Sequence, residues 1–219
     1  YMGVDARRDH SMRVPRPDLS LMAGTPNACN GCHATESPEW ALAALEDWGV
    51  TFRGTGEHPA VAMADLARGD LRGVPRLSRL AADDGAAPIW RATALERSAG
   101  AGDRAALRLA AELLASDDPL LRASAVRALE ILQPQQRHAL LAPLIDDPVT
   151  GVRLEVAEGL ADVPLGEITA GQREALLRLF DEYRAIHRDH ADMPGMNLEL
   201  GLFHLRRGDY PAAESAYRE

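Results

Sequence analysis

The chain has 219 residues, 46% of them hydrophobic but only 5% aromatic, and 33 acidic residues against 24 basic ones leave a net charge of −9. That length allows one or two domains with an ample core, and the alanine- and leucine-rich mix favours close-packed helices over sheets. No basic surplus is available to neutralise phosphates, which argues against nucleic acid as a partner, and no run of about 18 apolar residues is present to span a membrane.

Every basic residue is arginine, which reads as coding bias rather than chemistry. The chain opens at Tyr1 inside a motif-like stretch and stops at Glu219 inside a helical pattern. The expectation is a piece of a longer protein, with any targeting signal lying outside it.

Residues 1–37 carry three prolines and little periodicity and read as an irregular segment. Pro15 and Pro17 push the residues before them away from helical geometry, so Val14-Pro15-Arg16-Pro17 is expected to be extended. Within this segment lies Cys29-Asn30-Gly31-Cys32-His33, which holds both cysteines of the chain. C-x-x-C-H is the attachment signature of c-type haem. Two thiols so spaced can each add to a haem vinyl group, and the adjacent histidine then reaches the iron. Cys29 and Cys32 would be the thioether residues and His33 the proximal ligand. A thioredoxin-like dithiol would want a βαβ unit around it, and a zinc site would want a further ligand pair. Neither is visible, and two cysteines three apart cannot staple a fold.

Helical signals begin at Ser37-Pro38-Glu39, with Ser37 as N-cap, Pro38 at the first helical position and Glu39 suited to the dipole. This helix should run to about Trp48 and stop at Gly49. Further helices are expected over 58–68, ended by Gly69, and over 72–82, where Val74, Leu77 and Leu80 keep helical spacing. A repeat then sets in. Arg91-Ala92, Arg122-Ala123 and Arg153-Leu154 are successively 31 residues apart, and Leu109, Leu113 and Leu114 fall on Leu140, Leu144 and Ile145. Asp118-Pro119 and Asp147-Pro148 precede the second and third units, as cap and first helical residue. Self-similarity at such a period signals stacked helical pairs. The units resemble short, alanine-rich HEAT-like repeats, with D-P-x-x-R-x-x-A-x-x-A-L matched best from Asp118 to Leu129; the period is shorter than the usual HEAT length of about 40.

A longer helix is expected from Thr169 to about His190, broken by Met193-Pro194-Gly195. The stretch from Leu198 through Arg207-Gly208-Asp209-Tyr210-Pro211 to Tyr217 resembles the first two-thirds of a tetratricopeptide repeat (TPR), with Gly201 and Ala213 as the small residues where its helices cross. The expected fold is all-α, an α–α superhelix of HEAT-like hairpins running into a TPR. The corresponding division is 1–37 for a haem-binding segment, 38–192 for the repeats and 193–219 for the start of the TPR region.

The order Tyr1-Met2, Val4-Asp5, Arg7-Arg8-Asp9-His10-Ser11-Met12-Arg13-Val14-Pro15-Arg16-Pro17-Asp18, then Gly24-Thr25-Pro26-Asn27-Ala28-Cys29, resembles the closing part of a bacterial multihaem c-type cytochrome domain fused to HEAT-like and TPR repeats. The resemblance implies covalent haem c, electron transfer, a periplasmic or otherwise exported location, and a missing remainder of the haem domain, since the family carries earlier C-x-x-C-H sites. It also makes His10 the first choice for a second axial ligand, either to this haem or to one bound upstream. His58, opening a helix near the haem segment, is the second choice, against a plain helix-start role. Met2, Met12 and Met22 are weaker candidates, as methionine more often fills apolar gaps.

His187 and His190 keep metal-ligand spacing on one helix, but Arg184, Arg188 and Asp189 around them read as a solvated face, with no third ligand identifiable. His138 and His204 read as ordinary helix residues. The pairs Asp83-Asp84, Asp117-Asp118 and Asp146-Asp147 are explained by capping more cheaply than by a cation stripe. No nucleophile elbow, Walker loop or dinucleotide fingerprint occurs, so the fragment carries no catalytic motif. Three functions stay open: an electron-transfer protein whose repeats dock a redox partner, a haem-free scaffold that binds protein partners through the repeats, and part of a multihaem reductase.

Overall fold

The computed structural model describes residues 14–218. Among them no strand occurs, and the chain runs through thirteen α-helices with short 3-10 turns between some of them. The all-α expectation is met.

The described part of the first segment, residues 14–37, is more regular than the proline count suggests. It contains α1 (Pro17–Ala23) and α2 (Ala28–Cys32). Pro17 occupies the first turn of α1, Asp18 follows it, and Gly24 ends the helix at φ 70, a conformation only glycine adopts freely. These are ordinary start and stop signals over a helix of only seven residues. Residues 14–16 are non-helical, as expected before Pro17. Leu19 is buried, and α1 lies against α3 (Pro38–Asp47) and α4 (Pro59–Ala67). The Thr55 hydroxyl donates to Asp18 at 2.6 Å, and the Arg16 guanidinium sits 5.3 Å over the Phe52 ring. The segment is therefore seated on the helices that follow it.

From α3 onward the expected helices recur nearly in place: α3, α4, and α5 (Val74–Ala82). Ser37 accepts from the Trp40 amide at 3.4 Å, the expected cap of α3. Next come α6 (Pro88–Gly100), α7 (Arg104–Leu113), α8 (Pro119–Ala128), α9 (Pro134–Leu141), α10 (Thr150–Gly159) and α11 (Ala170–Asp189). Helices α6, α8 and α10 start at residues 88, 119 and 150, successively 31 apart, and α8 lies between the other two. The main apolar cluster runs along this row from Ala62 to Ala216.

Arginine ties successive helices together. Arg122 of α8 makes a two-pronged ion pair with Asp147, Nε to Oδ2 at 2.8 Å and Nη2 to Oδ1 at 3.0 Å, both residues being buried. Arg127 binds Glu96 of α6 at 2.8 Å and also Glu155 of α10. Arg153 of α10 reaches Glu182 of α11, Nε to Oε2 at 3.0 Å. The buried Arg137 of α9 donates to the carbonyls of Glu130 at 2.9 Å and Gly159 at 2.8 Å, to that of Leu132, and to the Asp162 carboxylate.

The capping expectation for the acidic pairs holds at one of three places. Asp118 accepts from the Leu120 amide at 2.8 Å and Pro119 opens α8. Asp147 also accepts an amide proton, from Val149 at 2.9 Å, but its carboxylate is turned inward to Arg122 and α10 starts only at Thr150. Asp83 closes α5 rather than opening α6, and Asp84 pairs with Arg91 at 2.7 Å.

The C-terminal hairpin is α12 (Pro194–Arg206) and α13 (Tyr210–Arg218). Ala213 is buried as expected of a crossing residue. Gly201 meets Tyr217, whose ring lies where a Cβ on Gly201 would stand. Gly201→Ala must push that half-exposed ring outward. The expected result is a loss of about 1–3 kcal/mol in packing of α13, read as faster amide exchange over residues 210–218 with α6–α11 unchanged. Exchange there equal to wild type would refute the crossing.

Candidate functional site

Helix α2 positions the cysteine motif. Asn27 caps it, its Oδ1 accepting the Asn30 amide at 3.2 Å, while its amide group donates to Ser20 Oγ of α1 at 2.9 Å. Asn30 Nδ2 donates to the Glu36 carbonyl at 2.7 Å, and the Glu36 amide donates to the His33 carbonyl at 3.0 Å. The turn between α2 and α3 is thus closed by its own hydrogen bonds. Cys29 and Cys32, three apart, fall on one side of the helix, and both are free thiols. His33 follows as the C-cap residue, its imidazole 4.8 Å from the Trp40 indole with the planes at 48°.

Both cysteines and His33 line one open cavity of about 500 Å³. Its other wall is α3, which presents Trp40, Ala41, Ala44, Leu45 and the closing residue Trp48. That volume lies within the range of roughly 300–1,000 Å³ usual for small-molecule and cofactor sites. Trp48 is 78% exposed and Trp40 39% exposed, so two large indoles stand at the rim beside the thiols. The lining is apolar apart from the motif itself.

The three readings of C-x-x-C-H ask different things of the geometry. A zinc site needs donors converging on one point, but among the described residues the one three-donor cluster of that kind is elsewhere and includes neither cysteine. The dithiol reading lacks its strand among the described residues. A haem uses the three side chains at different points of one flat apolar body, and an open apolar cavity flanked by indoles fits that body.

Sequence reasoning marked the motif but not its wall. The signal was present, because Trp40, Ala44 and Trp48 are spaced by four and line one helical face.

Among the described residues, no distal candidate is brought to the cavity. His10, with Met2 and Met12, lies outside the described residues. His58 is the N-cap of α4, its Nδ1 accepting the Ala60 amide at 3.2 Å and its ring standing edge-on to Trp90 at 6.3 Å. Burial and the nearby Arg16 cation push its pKa below the ordinary histidine value. It is absent from the cavity lining and performs the plain helix-start role. Met22 sits on α1 beside Gly56 and is also outside the lining.

Compared with known proteins, the chain matches no family model, no curated protein and no solved structure. No helix among the described residues is long and apolar enough to cross a membrane.

Proposed function

We propose that the chain is part of an electron-transfer protein in which haem c is attached covalently at Cys29 and Cys32 with His33 as the proximal iron ligand. The supporting observation is the single apolar cavity shared by both thiols, His33, Trp40 and Trp48. Bound there, the haem would supply one-electron redox chemistry. The chain's own residues hold and tune the site. The α2 cap and the closed turn fix both sulfurs, Trp40 braces the His33 ring, and the indoles with Ala41, Ala44 and Leu45 exclude water from one face. Such burial and low local polarity set a reduction potential.

In this reading residues 38–192 form an α–α superhelix of HEAT-like hairpins passing into a TPR, a docking arm for a redox partner or neighbouring subunit. The regular helix starts and the arginine ties between successive helices support it. Attachment of haem to C-x-x-C-H resembles a process completed after export, so the proposed location is periplasmic.

The test is expression with export and c-type haem maturation, followed by a haem stain after denaturing electrophoresis and a visible spectrum. The expected result is one covalent haem per chain. In the purified holoprotein His33→Ala should shift the Soret band and the potential. A chain that matures without haem would leave only the protein-binding scaffold, and a spectrum unchanged by His33→Ala would remove His33 as ligand.

A further inference from the structure

A second constellation lies far along the row, at the junction of α10, α11 and α12. Glu158, His187 and Glu199 come one from each helix, and each directs a ligand atom to one place, the three atoms lying within 4.8 Å of one another. They share a cavity of about 580 Å³ with Glu155, Arg127 and His190.

The hydrogen bonds around them decide what this place wants. His187 is 2% exposed and stacks on the Tyr183 ring at 3.9 Å. Its Nδ1 lies 2.8 Å from the Tyr183 carbonyl, which can only accept, so Nδ1 carries the ring proton. In the neutral ring Nε2 then turns a lone pair towards Glu199 Oε2 at 3.2 Å, an acceptor facing an acceptor unless a cation joins them. One proton would reconcile that single pair. It would leave the third donor, Glu158, unexplained. Glu158 Oε1 already accepts the Tyr183 hydroxyl at 2.7 Å, which orients the carboxylate and leaves its other oxygen free to coordinate.

This is the outer arrangement that metal ligands have: a histidine whose second nitrogen donates to a carbonyl, and a carboxylate held by a hydrogen bond. The balance of charge agrees. Three carboxylates line the cavity against the one Arg127, which is shared with Glu96 outside it.

We propose that Glu158, His187 and Glu199 bind one divalent transition-metal ion, of the zinc class, which ties α10, α11 and α12 together. One imidazole and two carboxylates suit such an ion, and the open side of the cavity leaves coordination positions for water. The ion would clamp the last helices of the row to the start of the C-terminal hairpin. The site is independent of the haem reading.

The probe is Zn²⁺ itself, titrated into chelator-stripped protein whose Cys29 and Cys32 are alkylated or already haem-bound. The expected result is one equivalent bound per chain, a higher thermal midpoint, and no displacement by a thousandfold excess of Mg²⁺. Glu199→Gln keeps the size of a half-exposed side chain, and it should weaken Zn²⁺ at least tenfold. Tyr183→Phe keeps the stacked ring but removes the hydroxyl on Glu158, and it should weaken Zn²⁺ by about 10–100-fold, the usual cost of losing such a support. The proposal is overturned by Zn²⁺ binding that Glu199→Gln leaves unchanged, by displacement with Mg²⁺, or by no binding together with a doubly protonated His187 imidazolium in the NMR spectrum at pH 7.

Discussion

Arg122→Ala should destabilise the chain by about 3–5 kcal/mol, the usual cost of leaving one half of a buried ion pair behind. The guanidinium holds both oxygens of Asp147 and also donates to the Ser116 carbonyl at 2.8 Å. Its removal strands a carboxylate that water barely reaches. For a chain of this size that is a fall of roughly 10 °C in thermal midpoint.

The effect should depend on pH in a definite direction. Burial opposes the Asp147 charge, but the Arg122 hydrogen bonds outweigh it and hold the carboxyl below its ordinary value. A depressed carboxylate contributes stability above the unfolded pKa, here about 3.8, and loses it as pH falls through the folded value. Wild type and variant should therefore differ fully at neutral pH and converge in acid. Arg122→Met combined with Asp147→Leu should recover most of the loss, because a well-packed apolar pair of similar volume costs little there. A single-variant change under about 1 kcal/mol by thermal or denaturant unfolding would contradict the pair's role.

The second large effect separates cofactor from fold. Cys29→Ala with Cys32→Ala should abolish covalent haem entirely while leaving helical circular dichroism and the main thermal transition nearly intact. Among the described residues, the main apolar cluster contains none before Ala62. Cys32 is exposed and Cys29 only half-buried, and substitutions at such places usually stay within about 0.5 kcal/mol. The cap at Asn27 and the bond from Asn30 to Glu36 do not involve either sulfur. Loss of most of the helix signal in the double variant would make haem a folding core and would overturn the separation.

Legibility from sequence followed locality. Ser37-Pro38, Asp118-Pro119 and Thr169 with Gln172 announce α3, α8 and α11 through contacts within one turn. The same chemistry announced α1 through Pro17, Asp18 and Gly24, but seven residues give too little periodicity to outweigh a proline-rich surrounding. Asp147 reads as a cap because its amide partner is two residues away; its second partner, Arg122, is 25 residues off and decides its direction. His187 reads as part of a solvated face because Arg184, Arg188 and Asp189 surround it in sequence. It is instead buried against Tyr183, and the partners that give it meaning, Glu158 and Glu199, come from other helices. The Cys29, Cys32 and His33 motif was visible because its residues are close in chain as well as in space.

Arg137 has a consequence for how the molecule comes apart. Its one guanidinium holds the Glu130 and Leu132 carbonyls on the chain entering α9, and the Gly159 carbonyl and Asp162 carboxylate at the far end of α10. Lifting α9 away would expose all of those carbonyls and a desolvated cation in one event, with no cheaper partial step. Residues from about 129 to 162 should therefore open as one foldon. Fraying from either end of the row should be checked when it reaches this knot, so the middle of the chain should be its slowest part to exchange and its last to melt.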